Sequence, residues 1–137
     1  MTTVRMKDWE PRLVAWLASV RARPFAPGAH DCGLFTAGAL EAMTGVDHGA
    51  AWRGRYKTLK GARRLLKKAG YADHVAYVAG LFDEVPPAFA QAGDIAVIDG
   101  DDGPALGIVQ GEGVYVLTPA CGLGLVPRRQ MKRAFRV

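Results

Sequence analysis

The chain has 137 residues, of which 50% are hydrophobic and 23% are charged, with a formal net charge of +5. This balance excludes a disordered chain and predicts a single globular domain over residues 1–137. No apolar run reaches the ~20 residues that span a bilayer, and the N-terminus lacks the apolar stretch of a secretory signal. We therefore expect no signal peptide, no membrane partner and a cytoplasmic origin.

The two cysteines, Cys32 and Cys121, are too few for a disulfide framework. Histidines occur at positions 30, 48 and 74, but no CxxC or HxxxH spacing is present. Zinc sites generally use such spacings. We therefore expect no metal site and no cofactor.

The positive charge is concentrated in two stretches. The first, residues 53–68, has eight basic residues and no acidic one, and the second covers residues 128–136. Each is either a solvated face or a surface for acidic partner proteins; no nucleic-acid module is recognisable, so nucleic acid is not expected. The partner-binding candidates are Arg53, Arg55, Lys60, Arg64, Lys67 and Lys68. The nearby aromatic residues Trp52, Tyr56 and Phe135 either anchor such an interface or pack in the core.

Apolar periodicity predicts four helices in the first part of the chain. They cover residues 7–22, a stretch from Asp31 to just before Gly45, residues 58–69 and residues 73–82. Asp31 is a good N-cap and Gly45 a good helix terminator. The second helix is apolar on nearly every side, which indicates that it is buried.

After Pro86 and Pro87 the pattern changes to short strands. Strands are expected at 94–98, 105–109 and 114–117, with 123–126 and 134–137 completing a small antiparallel sheet. Helices followed by strands predict the α+β class, with N-terminal helices packed on the sheet.

Cys32 would lie in the first turn of the second helix. Free backbone amides and the helix dipole at this position stabilise a thiolate, the nucleophilic form, and the same amides can bind an oxyanion. Gly28 and Gly33 would leave room for a substrate backbone. The alternative is that Cys32 is a small buried hydrophobic residue.

Two segments resemble the NlpC/P60 superfamily, the papain-like cysteine peptidases that cut peptidoglycan stem peptides. They are Gly28-Ala29-His30-Asp31-Cys32-Gly33-Leu34-Phe35, preceded by Arg23-Pro24-Phe25, and Gly93-Asp94-Ile95-Ala96-Val97. The resemblance implies a papain-type fold with Cys32 in the nucleophile position.

Other segments are similar to a phage-derived branch of that superfamily, found among tail genes of siphophages, prophages and gene transfer agents. They are Trp9-Glu10, Thr44-Gly45-Val46-Asp47, Trp52-Arg53-Gly54-Arg55-Tyr56 and Ala134-Phe135-Arg136-Val137. This similarity implies a structural or assembly component of a tail tip, with other tail-tip proteins (hub or tip subunits) as partners. It would reside in the bacterial cytoplasm during assembly and then in the virion tail.

The chain departs from the active members of the superfamily at the general base. Their histidine begins a strand in a pattern like His-Val-Gly-Ile, whereas this chain has Ala105 in Pro104-Ala105-Leu106-Gly107-Ile108. Alanine accepts no proton, so we expect a pseudoenzyme in which Cys32 is vestigial. The alternative is an active cysteine peptidase that acts on peptidoglycan with an unconventional base. His30 is the leading candidate for that base, and His74 and His48 rank behind it.

Overall fold

The computed structural model describes residues 4–137. Four helices come first: α1 (Trp9–Val20), α2 (Cys32–Thr44), α3 (Leu59–Lys68) and α4 (His74–Ala79). Six strands follow: β1 (Asp83–Val85), β2 (Ile95–Gly100), β3 (Gly103–Gln110), β4 (Gly113–Thr118), β5 (Gly122–Pro127) and β6 (Arg133–Arg136). Two short 3-10 helices lie at Pro87–Phe89 and Arg128–Gln130. The predicted α+β class, with helices before an antiparallel sheet, is confirmed.

All six strands form one antiparallel sheet in the order β1-β6-β2-β3-β4-β5. The last strand of the chain lies inside the sheet, between β1 and β2. Ile95 fixes this register because it faces Ile108 of β3 on one side and Phe135 of β6 on the other. All three side chains are fully buried.

The helices cover one face of this sheet. Ile95 and Val97 of β2 pack into the main core with α1 and α2, whereas Ala96 and Ile98 pack into a second cluster on the other face. Successive side chains of a strand point to opposite faces, so a continuous apolar strand indicates that both faces are covered. Because α2 packs on the strands, its first turn is held against the sheet.

Besides shifts of one or two residues at other element ends, the structure differs from the sequence prediction in the following elements. Strand β1 was not predicted, α4 ends at Ala79 instead of continuing to residue 82, and β2 extends to Gly100. Strand β1 has only three residues and pairs solely with β6, so its conformation depends on a partner some fifty positions along the chain. Gly80 follows α4 directly, and glycine is a poor helix former. Within residues 4–137 no helix has the length and apolar character required to cross a membrane.

Candidate functional site

Helix α2 begins with a capping arrangement around Asp31. Asp31 has extended backbone geometry, and its Oδ1 accepts a hydrogen bond of 2.9 Å from the amide of Leu34. Its Oδ2 accepts hydrogen bonds from the amide of Gly28, at 3.0 Å, and from the hydroxyl of Tyr56. The predicted N-cap is confirmed, and Cys32 is the first residue of the helix. Tyr56 is a partner that sequence reasoning missed.

Gly28 has a structural role that differs from the expected one. Its φ is +83°, and a Cβ at this position would lie 1.9 Å from the carbonyl oxygen of Tyr56. The amide of Gly54 also donates to the Gly28 carbonyl at 2.8 Å. The space beside Gly28 is therefore filled by the protein's own loop, and the expectation that it admits a substrate was wrong. Gly33 does border open space, with Asp31 Oδ1 as the nearest atom at 3.6 Å.

The environment of Cys32 favours the neutral thiol. The pKa of Cys32 is raised to about 11, chiefly by burial and with a smaller contribution from the charge of Asp31. The backbone amides of Leu106, Gly33 and Cys32 itself lower the pKa and only partly offset the burial. Burial disfavours a charged group because the low-dielectric interior solvates it poorly. The helix N-terminus alone therefore does not yield a reactive thiolate here.

Cys32 lines a cavity of about 500 Å³. Its walls are the first turns of α2, the inner face of α3, helix α4, the turn between β2 and β3, and the loop that follows β4. Apolar walls include Leu40 of α2 and Leu59, Ala62 and Leu66 of α3. This size and character are those of a small-molecule or peptide pocket.

His30 lies outside the lining of this cavity. It is 1% exposed, and its ring packs edge-on against Trp16 and Phe35 with centroid distances of 6.5 Å and 6.4 Å. Burial, with a smaller contribution from the charge of Arg23, lowers the pKa of His30. The structure thus makes His30 part of an aromatic cluster between α1 and α2, which does not suit the base role considered for it.

The other two histidines do line the cavity. His48 packs edge-on against Phe82 at a centroid distance of 5.4 Å, and burial lowers the pKa of His48. The Nε2 atom of His74 forms a hydrogen bond of 2.7 Å with the carbonyl oxygen of Pro104. Pro104 directly precedes Ala105, so His74 is tied to the start of β3.

Ala105 lies on the cavity wall beside Leu106, whose backbone amide acts on the Cys32 thiol. The Ala105 side chain packs against the second apolar cluster and faces Ile98 across the strands. Strand β3 contains no histidine. The strand next to the thiol therefore supplies backbone groups but no proton acceptor from a side chain.

The two basic stretches differ in how many of their charged side chains are bonded to other residues of the chain. In the second, Arg128 donates to the carbonyl of Pro87 at 3.0 Å and Arg133 pairs with Glu84 at 2.8 Å. In the first, Arg53 pairs with Asp47 at 2.9 Å and Arg55 donates to the carbonyl of Ala51. The α3 residues without an ion-pair partner among residues 4–137 are Lys60, Arg63, Arg64, Lys67 and Lys68.

The three aromatic residues considered as interface anchors are held within the protein. Phe135 is fully buried in the main core. Trp52 packs edge-on against Tyr77 at 5.1 Å, and Tyr56 is bonded to Asp31. For Phe135 the core alternative is confirmed.

The motif Gly93-Asp94 before β2 has a structural role, which comes from the bonds of Asp94. Asp94 is fully buried and pairs with Arg5 at 2.8 Å. Its carboxylate also accepts bonds from the amides of Gln91 and Val137, at 2.8 Å and 3.1 Å. This residue joins both ends of the described chain to the start of the sheet.

No curated protein matches this chain. A family model described as "Domain of unknown function (DUF6950)" matches residues 4–137. This match covers nearly the whole sequence, so the chain belongs to the DUF6950 family.

Proposed function

We propose that this protein is a structural or assembly component of a phage-like tail tip, built on a degenerate NlpC/P60-like cysteine-peptidase fold. The observation that carries the proposed absence of catalysis is that strand β3, which borders the Cys32 cavity, contains no histidine; the raised pKa of Cys32, about 11, agrees with it. A cysteine nucleophile needs a thiolate or an adjacent base. By the sequence resemblance, Ala105 stands where the superfamily has its histidine. The tail-tip context comes from the sequence resemblance.

The unpaired cations of α3 support a binding role. Lys60, Arg64, Lys67 and Lys68 project from one short helix and have no ion-pair partner among residues 4–137. Such a surface would attract acidic partner subunits, such as hub or tip proteins. The C-terminal basic stretch would contribute less because several of its arginines are bonded within the chain.

One observation favours an alternative, an active peptidoglycan-cleaving cysteine endopeptidase. His74 lines the same cavity as Cys32 and is bonded to the carbonyl next to Ala105. In this reading His74 replaces the missing base, takes the thiol proton and lets the sulfur attack a peptide carbonyl. The backbone amides at the start of α2 would then stabilise the oxyanion.

Two assays with the same variants separate these functions. The first deletes the gene in its host and complements it with wild-type protein, Cys32→Ala, His74→Gln or the matched control Cys121→Ala. Electron microscopy then scores tail tips. The second incubates each purified protein with peptidoglycan sacculi and follows soluble fragments by mass spectrometry.

The tail-component function predicts defective tips in the deletion strain and full rescue by all three variants, with no fragments released from sacculi. Fragment release that is lost in Cys32→Ala and His74→Gln but kept in Cys121→Ala would establish the peptidase instead. A deletion strain without any tail defect would contradict the tail role.

A further inference from the structure

The cavity beside Cys32 has charges of opposite sign on two of its walls. Helix α3 contributes Arg63 and Lys67, and the turn between β2 and β3 contributes Asp101 and Asp102. None of these four side chains has an ion-pair partner among residues 4–137. These four charges are therefore not neutralised by ion pairs within the described chain and are available to a ligand.

Much of the cavity lining is apolar. Leu59, Ala62 and Leu66 form the inner face of α3, yet they border the cavity because α3 packs chiefly on α4. An engineered cavity of ~150 Å³ holds one benzene-sized group, so about 500 Å³ holds roughly three side chains of that size. The helix thus presents an apolar face that its own chain does not fill.

Three polar atoms in the cavity-lining residues lack partners. They are Thr36 Oγ1, His48 Nε2 and Trp52 Nε1, all buried and without a hydrogen bond within residues 4–137. Buried polar groups are usually satisfied, so these atoms favour a ligand with its own donors and acceptors once a shift of neighbouring side chains exposes them. A peptide backbone supplies both, whereas an aliphatic chain supplies neither.

We propose that this cavity binds a short peptide segment of a partner protein, with about three apolar residues between an acidic and a basic residue. The acidic residue pairs with Arg63 and Lys67, and the basic residue pairs with Asp101 and Asp102. The apolar residues fill the space along α3. This inference rests on the proposed function, because the segment is held beside the neutral thiol and is not cut.

Fluorescence anisotropy with labelled, end-capped peptides tests the proposal. The probes have three leucines between aspartate and lysine, in both orders, and the control probes replace the leucines by serine or both charged residues by asparagine. Dodecanoate, added as a competitor, tests for an aliphatic carboxylate site. The expected result is binding of one charged leucine probe, weakened at least about tenfold, or about 1.4 kcal/mol, by either kind of control change.

Variants of the protein test whether the peptide binds in this cavity. Arg63→Glu with Lys67→Glu should weaken binding at least about tenfold, whereas the matched pair Lys7→Glu with Arg21→Glu, exposed residues outside both the cavity lining and the basic stretches, should leave it unchanged. Ala62→Trp should fill the cavity and abolish binding, with circular dichroism to confirm that the variant is folded.

Several outcomes would overturn the inference: no probe binds, binding persists in Ala62→Trp, the two charge-reversal pairs behave alike, or dodecanoate binds while the peptides do not. Mass spectrometry of the same samples tests the proposed function separately. If the bound probe is cut and Cys32→Ala stops the cutting, the peptide site stands and the non-catalytic role fails.

Discussion

The hydroxyl of Tyr56 donates a hydrogen bond to Oδ2 of Asp31, 25 residues earlier in the chain. The same carboxylate caps α2 and accepts the amide of Gly28. Asp31 therefore fixes the turn that carries Cys32 from three directions at once. Asp31, the residue beside the cysteine, thus positions the start of α2.

Replacing Asp31 by alanine should be strongly destabilising, because it removes the cap and leaves buried donors without a partner. We expect the free energy of unfolding to fall by about 3 kcal/mol. Tyr56→Phe removes a single hydrogen bond to the carboxylate and should cost less, about 1.5–2 kcal/mol. Urea unfolding followed by circular dichroism measures both. Equal losses for the two variants would show that Asp31 does not cap the helix.

Two glycines of α2 provide a matched pair for the same substitution. A Cβ at Gly38 would lie 2.2 Å from the Trp16 ring, whereas a Cβ at Gly33 meets nothing closer than 3.6 Å. Gly38→Ala should therefore lower stability by roughly 1–3 kcal/mol through overpacking. Gly33→Ala should raise it by about 0.5–1 kcal/mol, since alanine is the better helix former. Thermal or urea unfolding measures the stability of both variants. A Gly38→Ala variant more stable than wild type would contradict the close packing of α1 on α2.

The pH dependence of stability should report on His30. Burial lowers the pKa of His30 below its ordinary value of 6.5, so the unfolded chain takes up a proton at a higher pH than the folded one does. The stability linked to His30 is therefore complete above about pH 6.5 and is lost as the pH falls toward the folded-state pKa. The slope is at most about 1.4 kcal/mol per pH unit for one proton.

His30→Phe should remove that part of the acid sensitivity while preserving the aromatic contacts with Trp16 and Phe35. Unfolding free energies of wild type and variant at about pH 7.5 and pH 5.5 measure the difference. His48 retains a similar contribution, because burial lowers the pKa of His48 as well. Identical pH slopes for wild type and His30→Phe would mean that His30 does not titrate differently on folding.

The sequence was sufficient for the elements that have a strong local signal. Asp31 and Gly45 marked the ends of α2 because capping and the left-handed terminator, with φ of +80° at Gly45, are local effects. Strand β1 was missed because Asp83–Val85 is short and gains its hydrogen bonds only from β6. Its conformation is set by tertiary pairing, which no local pattern records.

The sequence predicted that Cys32 begins α2, but it did not predict which residues surround Cys32 in the structure. The position of Cys32 follows from the cap, but its pKa depends on enclosure by other elements, including the backbone of Leu106 on β3. His30, two residues from Cys32 in sequence, packs toward α1. His74 is distant in sequence and reaches the cavity because α4 lies against the start of β3. Closeness in sequence was therefore a poor guide to closeness in the site.

The protonation state of Cys32 tests the central claim most directly. The measurement is the rate of iodoacetamide alkylation of Cys32 against pH, in a Cys121→Ser background that removes the exposed second thiol. A neutral thiol predicts a rate that rises about tenfold per pH unit from about pH 7 to pH 10 without a plateau, in line with a pKa of about 11. A plateau reached below about pH 8.5, together with peptide-bond cleavage that is lost in Cys32→Ala, would contradict the account and identify a working nucleophile.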